Sequence, residues 1–513
     1  MPNGLFSTFP VHQIVAILIP LTGPILPKQW YQFMDGMFET LFAPGLDTAA
    51  PQPLNEQLQA MLRQAILTRR LPAGRRLPAT RALASRLDIS RNTVLAAYDH
   101  LIAEGYLETR QGAGTFVSAD LPDAALQVNT KPHTDSHHTT TPRTAKRPLS
   151  GMPALDQFPV DIWARLSGSV WRGATEAQLL HNDPAGYLPL RQAIATYLEA
   201  ARGVVATAGQ VIITSGIQQG FNLLADSVIS RDRAIILEDP GYPGMASAVR
   251  SLPHPISYTP VDRHGVVPPV PDSRHAVQPG LLVACPSRQY PLGYTMPLKR
   301  RLELLEWARA ADSFLLEDDY DSEFRYAGRP INSLQGIDGG KRVIYSGSFS
   351  KSLFLALRLG YLVVPKEMVA PVIRHRMAVD SFPSISNQML LTRFIEEGHF
   401  ARHIRRLRAV HKKRLALFMA SAQAWLGTYF NFQHADTGLH VVAFCRENAS
   451  LPKDTALSLI AGRAQLGASP LSESYHVAKP RQGLLFGFAN IDEREIDNRL
   501  KELATLMYQE TGF

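Results

Sequence analysis

One short segment combines a lysine with several hydroxyl groups and an arginine. Ser348, Ser350 and Ser352 surround Lys351, and Arg358 follows two helical turns later. A lysine amine can form an imine with an aldehyde, while hydroxyls and a guanidinium together suit a phosphate. The same residue types also occur in ordinary strand-to-helix connections. The role of the segment therefore depends on which other residues lie near Lys351.

Five short β-rich runs after residue 159 each lead into polar, glycine or aromatic residues. They are residues 211–214, 234–237, 281–284, 313–316 and 343–345. Longer amphipathic patterns separate them, which predicts a mostly parallel sheet covered by helices on both faces. Ligands of open α/β sheets bind at the carboxyl ends of the strands, so the five endings predict a single site.

The residues at these endings suit one cofactor. A helix N-terminus after Ser215-Gly216 can join the segment around Lys351 in binding a phosphate. Asp318 can keep a ring nitrogen protonated, and Tyr242 can stack on the ring. Pyridoxal phosphate has a phosphate, a basic ring nitrogen, a flat ring and an aldehyde, so the sequence predicts that it is bound. A nicotinamide or flavin fits less well, because no G-x-G-x-x-G turn follows a predicted strand.

Residues 51–118 contain nine arginines and five acidic residues. Their formal net charge of +4 is half of the +8 of the whole chain. Apolar residues at helical spacing predict three helices, the second capped by Thr80 and the third by Ser90. Residues 106–117 predict a two-stranded wing with a tight turn. The exposed start of the third helix, Arg91-Asn92-Thr93, suits contacts to bases and phosphates. A protein-interaction module with a solvated arginine face is the alternative.

The length of 513 residues predicts two or three domains. Two cysteines are too few for a disulfide scaffold or a zinc ribbon and indicate a reducing compartment. Residues 1–50 predict an extension without assigned function; its apolar run is too short to span a membrane and lacks the flanks of a signal peptide. Translation from Met34 or Met37 also fits. Residues 119–150 predict a flexible linker, and no metal site is expected.

Three blocks of the basic module resemble the winged helix-turn-helix of GntR-type bacterial regulators. They are LPATRALA at 77–84, SRNTV at 90–94 and EGYLE at 104–108, and the resemblance covers essentially all of 51–118. It implies contacts to double-stranded operator DNA from Arg81, Ser90, Arg91, Asn92, Thr93, Gln111 and Gly112.

Four later blocks, at 182–191, 238–244, 317–326 and 348–353, resemble the aminotransferase-like domain of the MocR subfamily. That subfamily fuses a GntR-type winged helix to a fold-type I pyridoxal-phosphate domain, and the resemblance spans about residues 50–510. The implied fold class is α/β: an N-terminal winged helix-turn-helix (51–118) and a large fold-type I aminotransferase-like domain (151–513) with a mostly parallel sheet.

The resemblance also implies roles at the cofactor. Lys351 carries the internal aldimine, Asp318 pairs with the ring nitrogen, Tyr320 bonds the ring hydroxyl and Tyr242 stacks on the ring. The phosphate is held by Ser215, Gly216, Ile217, Ser348, Ser350 and Arg358. Tyr187 reaches the phosphate of the neighbouring subunit, which requires a homodimer.

Two positions depart from the family pattern. Many relatives have a histidine where this sequence has Arg288, so the contact made there is open. The arginine that grips a substrate carboxylate in aminotransferases is expected near residues 484–488, which contain none. Arg481 is the nearest candidate.

The resemblance implies a transcriptional regulator of the bacterial cytoplasm, associated with the nucleoid. Pyridoxal phosphate, or its adduct with an amino compound, would change how the large domains pack and hence the spacing of the two DNA-reading modules. A catalytically active aminotransferase with an accessory DNA-binding domain is the alternative. The identity of the effector, the operator and the direction of regulation stay open.

Overall fold

The computed structural model describes residues 46–47, 50, 52–119, 150–270, 277–328 and 331–511. The chain divides into two compact units, Met1–His138 and Thr139–Phe513. Nearly all of the predicted extension at 1–50 and of the predicted linker at 119–150 lies outside the described residues. The predicted domain boundaries therefore stay predictions.

The first unit consists of three helices followed by a two-stranded sheet. Its elements are α1 (Leu54–Leu67), α2 (Thr80–Leu87), α3 (Arg91–Ala103), β1 (Leu107–Arg110) and β2 (Gly114–Val117). The strands are antiparallel, with Leu107 opposite Val117. Apolar residues at helical spacing, including Leu58, Leu83 and Tyr98, form its core. This arrangement confirms the predicted winged helix-turn-helix.

Of the two predicted helix N-caps, one is confirmed and one is wrong. Ser90 caps α3 as predicted, because its Oγ accepts a hydrogen bond from the Thr93 amide at 3.0 Å. Thr80 was predicted to cap α2 and does not: it is the first helical residue, and the N-cap is Ala79, which makes no side-chain bond. An N-cap residue needs extended backbone angles, and Ala79 has them, with φ −60° and ψ 143°.

Ser90→Ala is expected to destabilise the first unit by about 1 kcal/mol, since the Thr93 amide loses its acceptor. Native-state hydrogen exchange of the α3 amides during urea titration measures this change. Ser85→Ala is the control, because Ser85 is an exposed residue inside α2. Equal effects of the two substitutions would contradict the cap.

The second unit contains helices that alternate with strands up to β10 and a further group of strands and helices after it. In chain order its elements are α4 (Val160–Arg172), α5 (Glu176–Leu179), α6 (Leu188–Arg202), β3 (Val211–Thr214), α7 (Ile217–Val228), β4 (Ala234–Asp239), α8 (Pro243–Arg250), β5 (Ile256–Asp262), β6 (Gly265–Val266), β7 (Pro279–Ala284), α9 (Leu298–Ala310), β8 (Phe314–Asp319), α10 (Leu334–Asp338), β9 (Val343–Ser348), β10 (Gly360–Val363), α11 (Lys366–Val379), α12 (Ser386–Glu396), α13 (His399–Leu426), β11 (Phe430–Phe432), β12 (His440–Cys445), α14 (Asp454–Arg463), β13 (Ala468–Pro470), β14 (Gly483–Gly487) and α15 (Ile496–Thr511).

The larger sheet of this unit has the strand order β3-β10-β9-β8-β7-β4-β5-β6. Strands β9, β8, β7, β4 and β5 are parallel neighbours, and β10 runs antiparallel to both β3 and β9. Both faces are covered, since Ile213 packs into one apolar cluster and its neighbour Ile212 into another. The predicted mostly parallel sheet is confirmed.

A second, antiparallel sheet has the order β11-β12-β14-β13. Its residue Phe486 belongs to the same apolar cluster as Ile213 and Tyr361 of the larger sheet, so the two sheets share one core. Within the described residues, no helix is long and apolar enough to cross a membrane. The same part of the chain contains no group of His, Cys, Asp or Glu side chains that could hold a metal ion.

Candidate functional site

All five predicted strand endings contribute to one cavity of about 1170 Å³. The cavity lies where the parallel strands end, because equivalent ends of parallel strands meet at one edge of a sheet. Its lining from these endings consists of Gly216, Ile217, Gln218, Tyr242, Tyr290, Asp318, Tyr320, Asp321, Ser348, Ser350 and Lys351. The convergence inferred from the sequence is thus present in the fold.

Lys351 presents its amine inside this cavity. Its Nζ donates a hydrogen bond to the carbonyl oxygen of Gly151 at 2.9 Å. Burial lowers the pKa of Lys351, although Asp321 and Asp318 act in the opposite direction. A lower pKa increases the fraction of uncharged amine, which is the form that attacks an aldehyde.

Asp318 lies near the end of β8 and lines the cavity. Burial raises its pKa to about 7, with further contributions from Asp319 and Asp321, while Lys351 opposes the shift. No described residue donates a hydrogen bond to the Asp318 carboxyl group. A cation placed beside it would stabilise the ionised form, as a protonated ring nitrogen does.

The raised pKa of Asp318 predicts a pH-dependent stability of the cofactor-free protein. Below the pKa that Asp318 has in the unfolded chain, its carboxyl group is protonated in both states. As the pH rises from there through the folded-state pKa of about 7, the unfolded chain loses the proton more readily and the free energy of unfolding falls. Asp318→Asn is therefore expected to raise the free energy of unfolding by about 2–4 kcal/mol at pH 8. Urea unfolding at pH 5 and pH 8 measures it.

The control for this experiment is Asp226→Asn, which replaces an exposed carboxyl group. The gain from Asp318→Asn should be larger at pH 8 than at pH 5, because the penalty for ionising the buried carboxyl grows with pH. A stability difference that is independent of pH would contradict the assigned environment.

Gly216 and Arg358 form an anion-binding corner at the start of α7. Gly216 has φ 137°, and a Cβ added to it would lie 3.6 Å from both terminal nitrogens of Arg358. The guanidinium therefore lies against the amino end of α7, whose free amide groups favour anions. Ser348 completes this corner: its Oγ accepts a hydrogen bond from the Ser350 amide at 3.2 Å. The corner fits a phosphate.

Three tyrosines line the same cavity as Lys351 and Asp318. Tyr242 packs edge-to-face on Tyr290 at 5.5 Å between ring centroids. The Tyr320 hydroxyl accepts a hydrogen bond from Nη1 of Arg288 at 3.3 Å. Together with the amine, the carboxylate and the anion-binding corner, these residues fit pyridoxal phosphate: each chemical feature of the cofactor has a partner in this chain.

Comparison with known proteins gives matches in both units. The family described as "Bacterial regulatory proteins, gntR family" matches residues 54–117, and "Aminotransferase class I and II" matches residues 154–484. A protein of Rhizobium meliloti named "Probable rhizopine catabolism regulatory protein MocR" is 36% identical over 471 residues, which cover 89% of this chain and 94% of that protein. The chain belongs to the MocR subfamily of GntR-type regulators.

Other similar proteins agree with this MocR-type architecture. The "HTH-type pyridoxine biosynthesis transcriptional regulator PdxR" of Corynebacterium glutamicum is 31% identical, covering 89% of this chain and 96% of its own length. Among solved structures, an archaeal alanine:glyoxylate aminotransferase has a TM-score of 0.64 at 22% identity, covering 71% of this chain and 90% of its own. An alpha-aminoadipate aminotransferase, LysN of Thermus thermophilus, has a TM-score of 0.62 at 23% identity, with coverages of 70% and 91%. These structures confirm the fold-type I fold.

The predicted DNA-contacting residues of this MocR-type chain lie on the surface of the first unit. Arg81, Arg91 and Asn92 are exposed, as are Gln111 and Gly112 at the turn of the wing. Gly112 has φ 73°, the left-handed conformation that the tight turn requires. The hydroxyl groups of Ser90 and Thr93 form a hydrogen bond of 2.8 Å, which orders the start of α3 beside Arg91.

Three predicted ligand-binding residues of this MocR-type chain do not line its cavity. Ser215 is adjacent, and its amide donates to Oε1 of Gln219 at 3.0 Å. The Tyr187 hydroxyl accepts from Nε2 of Gln178 at 3.4 Å, away from the chain's own cavity. Arg481 is exposed, with its guanidinium carbon 3.7 Å from the ring centroid of Phe444. Arg481 is therefore not among the residues that line the cavity of this chain, and its contact with a carboxylate stays a prediction.

His440 and Gly151 line the cavity of this MocR-type chain and were missed in the sequence, while the contacts of Arg288, which the sequence left open, are defined by the fold. His440 begins β12, and its carbonyl accepts from Nη2 of Arg288 at 2.8 Å. Arg288 is buried behind Tyr320 and is held 3.5 Å from Asp321. Gly151 supplies the acceptor for Lys351 from a position 200 residues away. A lone histidine or glycine carries no spacing signal, so only the tertiary fold reveals these residues.

Proposed function

We propose that this chain is a pyridoxal-phosphate-dependent transcriptional regulator that binds operator DNA and responds to the cofactor or to its adduct with an amino compound. One observation carries the proposal: a gntR-family module and a lysine-containing cofactor cavity occur in the same chain. Its action on DNA implies a place in the bacterial cytoplasm, at the nucleoid.

Different residues of the cavity would bind different parts of the cofactor. Lys351 would hold the aldehyde carbon, Asp318 the ring nitrogen, and Gly216 with Arg358 the phosphate. Tyr242 and Tyr320 would orient the ring. Bound pyridoxal phosphate supplies an electrophilic carbon that exchanges one primary amine for another. A regulator could use that exchange to detect an amine, because an entering amine would take the position of Lys351 at the aldehyde carbon.

A homodimer would complete the site. Tyr187 does not line the cavity of its own chain, which agrees with a contact across a dimer interface. Leu188 beside it is 45% exposed, and Leu179 and Leu180 are 61% and 69% exposed. Exposed apolar side chains so close together in sequence favour a protein contact surface.

The proposal is tested by footprinting the upstream region of the protein's own gene with and without pyridoxal phosphate and a panel of amines. Absorbance recorded in the same samples reports the state of the cofactor. We expect a protected site whose extent or strength changes when the cofactor or an amine is added. A footprint identical under all conditions would contradict regulation through the cavity.

The alternative is an aminotransferase with an accessory DNA-binding module. The buried amine of Lys351 favours it, since its lowered pKa suits repeated exchange of amines. Steady keto-acid production at enzyme-like rates, with no effect of the amino donor on DNA binding, would support the enzyme over the regulator.

A further inference from the structure

The cavity is larger than a single cofactor needs. Ligand pockets commonly measure about 300–1,000 Å³, and this one measures about 1170 Å³. Besides the cofactor-binding residues, its lining includes residues of segment 455–473, Leu485, Ser150 and Met152, and we call the part of the cavity beside these residues the outer compartment. These residues belong mainly to α14, β13 and β14. Because the compartment adjoins Lys351, a ligand there could present an amine to the same carbon.

We infer that the outer compartment admits a primary amine that has no carboxylate and whose remaining part carries hydroxyl groups. The inference rests on the proposed function, since it specifies the effector of the same site. Three features of the compartment support it: its charges, its strand β14 and its hydroxyl groups.

The cations of the cavity lie at the cofactor-binding positions. Among the described residues that line it, the lysine and arginine side chains are Lys351 and Arg358, which belong to the aldehyde and phosphate positions. Arg481 stacks outside on Phe444. His440 lines the cavity, but burial and the adjacent Arg288 hold its pKa well below the ordinary value, so it is neutral.

The outer compartment presents one carboxyl group, which is exposed, and no lysine or arginine among the described lining residues. Glu473 is its ionisable side chain among the lining residues that the structure describes. A ligand carboxylate in this compartment would have no cation to pair with and would be repelled by Glu473. Removing a carboxylate from water without a partner is strongly unfavourable.

Leu485 is the residue of β14 that lines the cavity. Leu484 and Phe486 point into the large apolar core, whereas Leu485 packs in a separate cluster with Leu292 and Val442 on the opposite face. Alternation along the strand thus directs Leu485 towards the cavity. The side chain that β14 presents to the cavity is therefore apolar, although the carboxylate-binding arginine of aminotransferases is expected near residues 484–488.

Hydroxyl groups supply most of the polarity of the compartment. The hydroxyls of Ser150 and Ser469 bond to each other at 2.6 Å, and Ser458 donates to the Ala468 carbonyl at 2.7 Å. Thr455 is exposed on the same wall. Such groups both donate and accept hydrogen bonds, so they match hydroxyls of a ligand better than a charged group.

The test uses the full-length protein loaded with pyridoxal phosphate and pairs of amines that differ in one group. The pairs are 3-aminopropan-1-ol with β-alanine, and 4-aminobutan-1-ol with 4-aminobutanoate. Calorimetry and the absorbance of the bound cofactor give each Kd, and anisotropy of labelled operator DNA gives the response. We expect each amino alcohol to bind at least about tenfold more tightly than its matched acid, because the acid buries an unpaired charge.

Substitutions that add a cation should reverse this preference. Leu485→Arg is expected to favour the acids about tenfold, by pairing with the carboxylate. Leu485 is buried, so an arginine there can prevent folding. Thr455→Arg is therefore the second variant, because Thr455 is exposed and the substitution adds a positive charge to the same wall of the cavity. Val477→Arg, at a side chain that is 74% exposed and outside the cavity, is the charge-matched control and should leave the preference unchanged.

Equal or tighter binding of the acids by the unmodified protein would overturn the inference. It would show that a cation pairs with the ligand carboxylate, and this holds whether that cation belongs to this chain or to a second copy. Failure of pyridoxal phosphate to attach, or DNA binding that ignores it, would overturn the proposed function as well. Attachment with a preference for acids overturns only the assignment of the amine.

Discussion

Lys351→Ala is expected to abolish covalent attachment of pyridoxal phosphate to the protein. The Lys351 Nζ lies within the cavity formed by the five strand endings, 2.9 Å from the Gly151 carbonyl, and its lowered pKa favours the reactive uncharged amine. Removing it leaves the cavity without a lysine among the described lining residues. Loss of the visible absorbance of the attached cofactor measures the effect, and mass spectrometry after borohydride reduction locates the attachment.

Lys366→Ala is the matched control, since Lys366 is exposed at the start of α11. It should keep full attachment. The first unit has its own apolar core, so its unfolding transition is expected to be unchanged in Lys351→Ala. A borohydride-reduced adduct that persists in Lys351→Ala would show that another amine holds the cofactor.

The second large effect is expected at the recognition helix. Arg91→Ala should weaken specific operator binding by about 1–3 kcal/mol if Arg91 contacts a base edge. Arg91 is exposed at the first position of α3, and the Ser90 cap fixes the backbone at that point. Titration of operator and of unrelated DNA at several salt concentrations separates a base contact from a phosphate contact.

Loss of a base contact lowers the affinity for the operator selectively, whereas loss of a phosphate contact weakens binding to all sequences alike and reduces the salt slope by about 1. Arg405→Ala removes the same charge from an exposed position on α13 and is the control. Identical losses in the two variants would mean that Arg91 acts only through the net charge of the protein.

Much of this architecture was predictable because local patterns and strand endings are linked by general rules of α/β folds. The runs at 211–214 and 343–345 are part of β3 and β9, and the motif around Lys351 follows β9 as expected. Strand β10 was not predicted. It lies between β3 and β9 in the sheet and runs antiparallel to both. Strand β10 is as short and as fully buried as β3, which was predicted, so the local pattern along the chain does not account for the difference.

The cap of α2 shows a similar limit on a smaller scale. Thr80 has the residue type of a cap, but Ala79 has the backbone angles of one. Composition identifies residues able to cap, while the turn that precedes the helix decides which residue is extended. Boundaries are therefore less well determined by sequence than the presence of the helix itself.

The sequence by itself determined the two modules, the MocR-type family, and the residues that converge around Lys351. It could do so because those residues follow recognisable strands and recur in fixed motifs. Only the tertiary structure decided what surrounds them: Gly151 reaches Lys351 across 200 residues, His440 enters the cavity from another sheet, and Arg481 stacks away from it. Leu485 faces the outer compartment because of the register of β14 within its sheet. Contacts between distant segments depend on how the sheets pack, and no spacing along the chain encodes that packing.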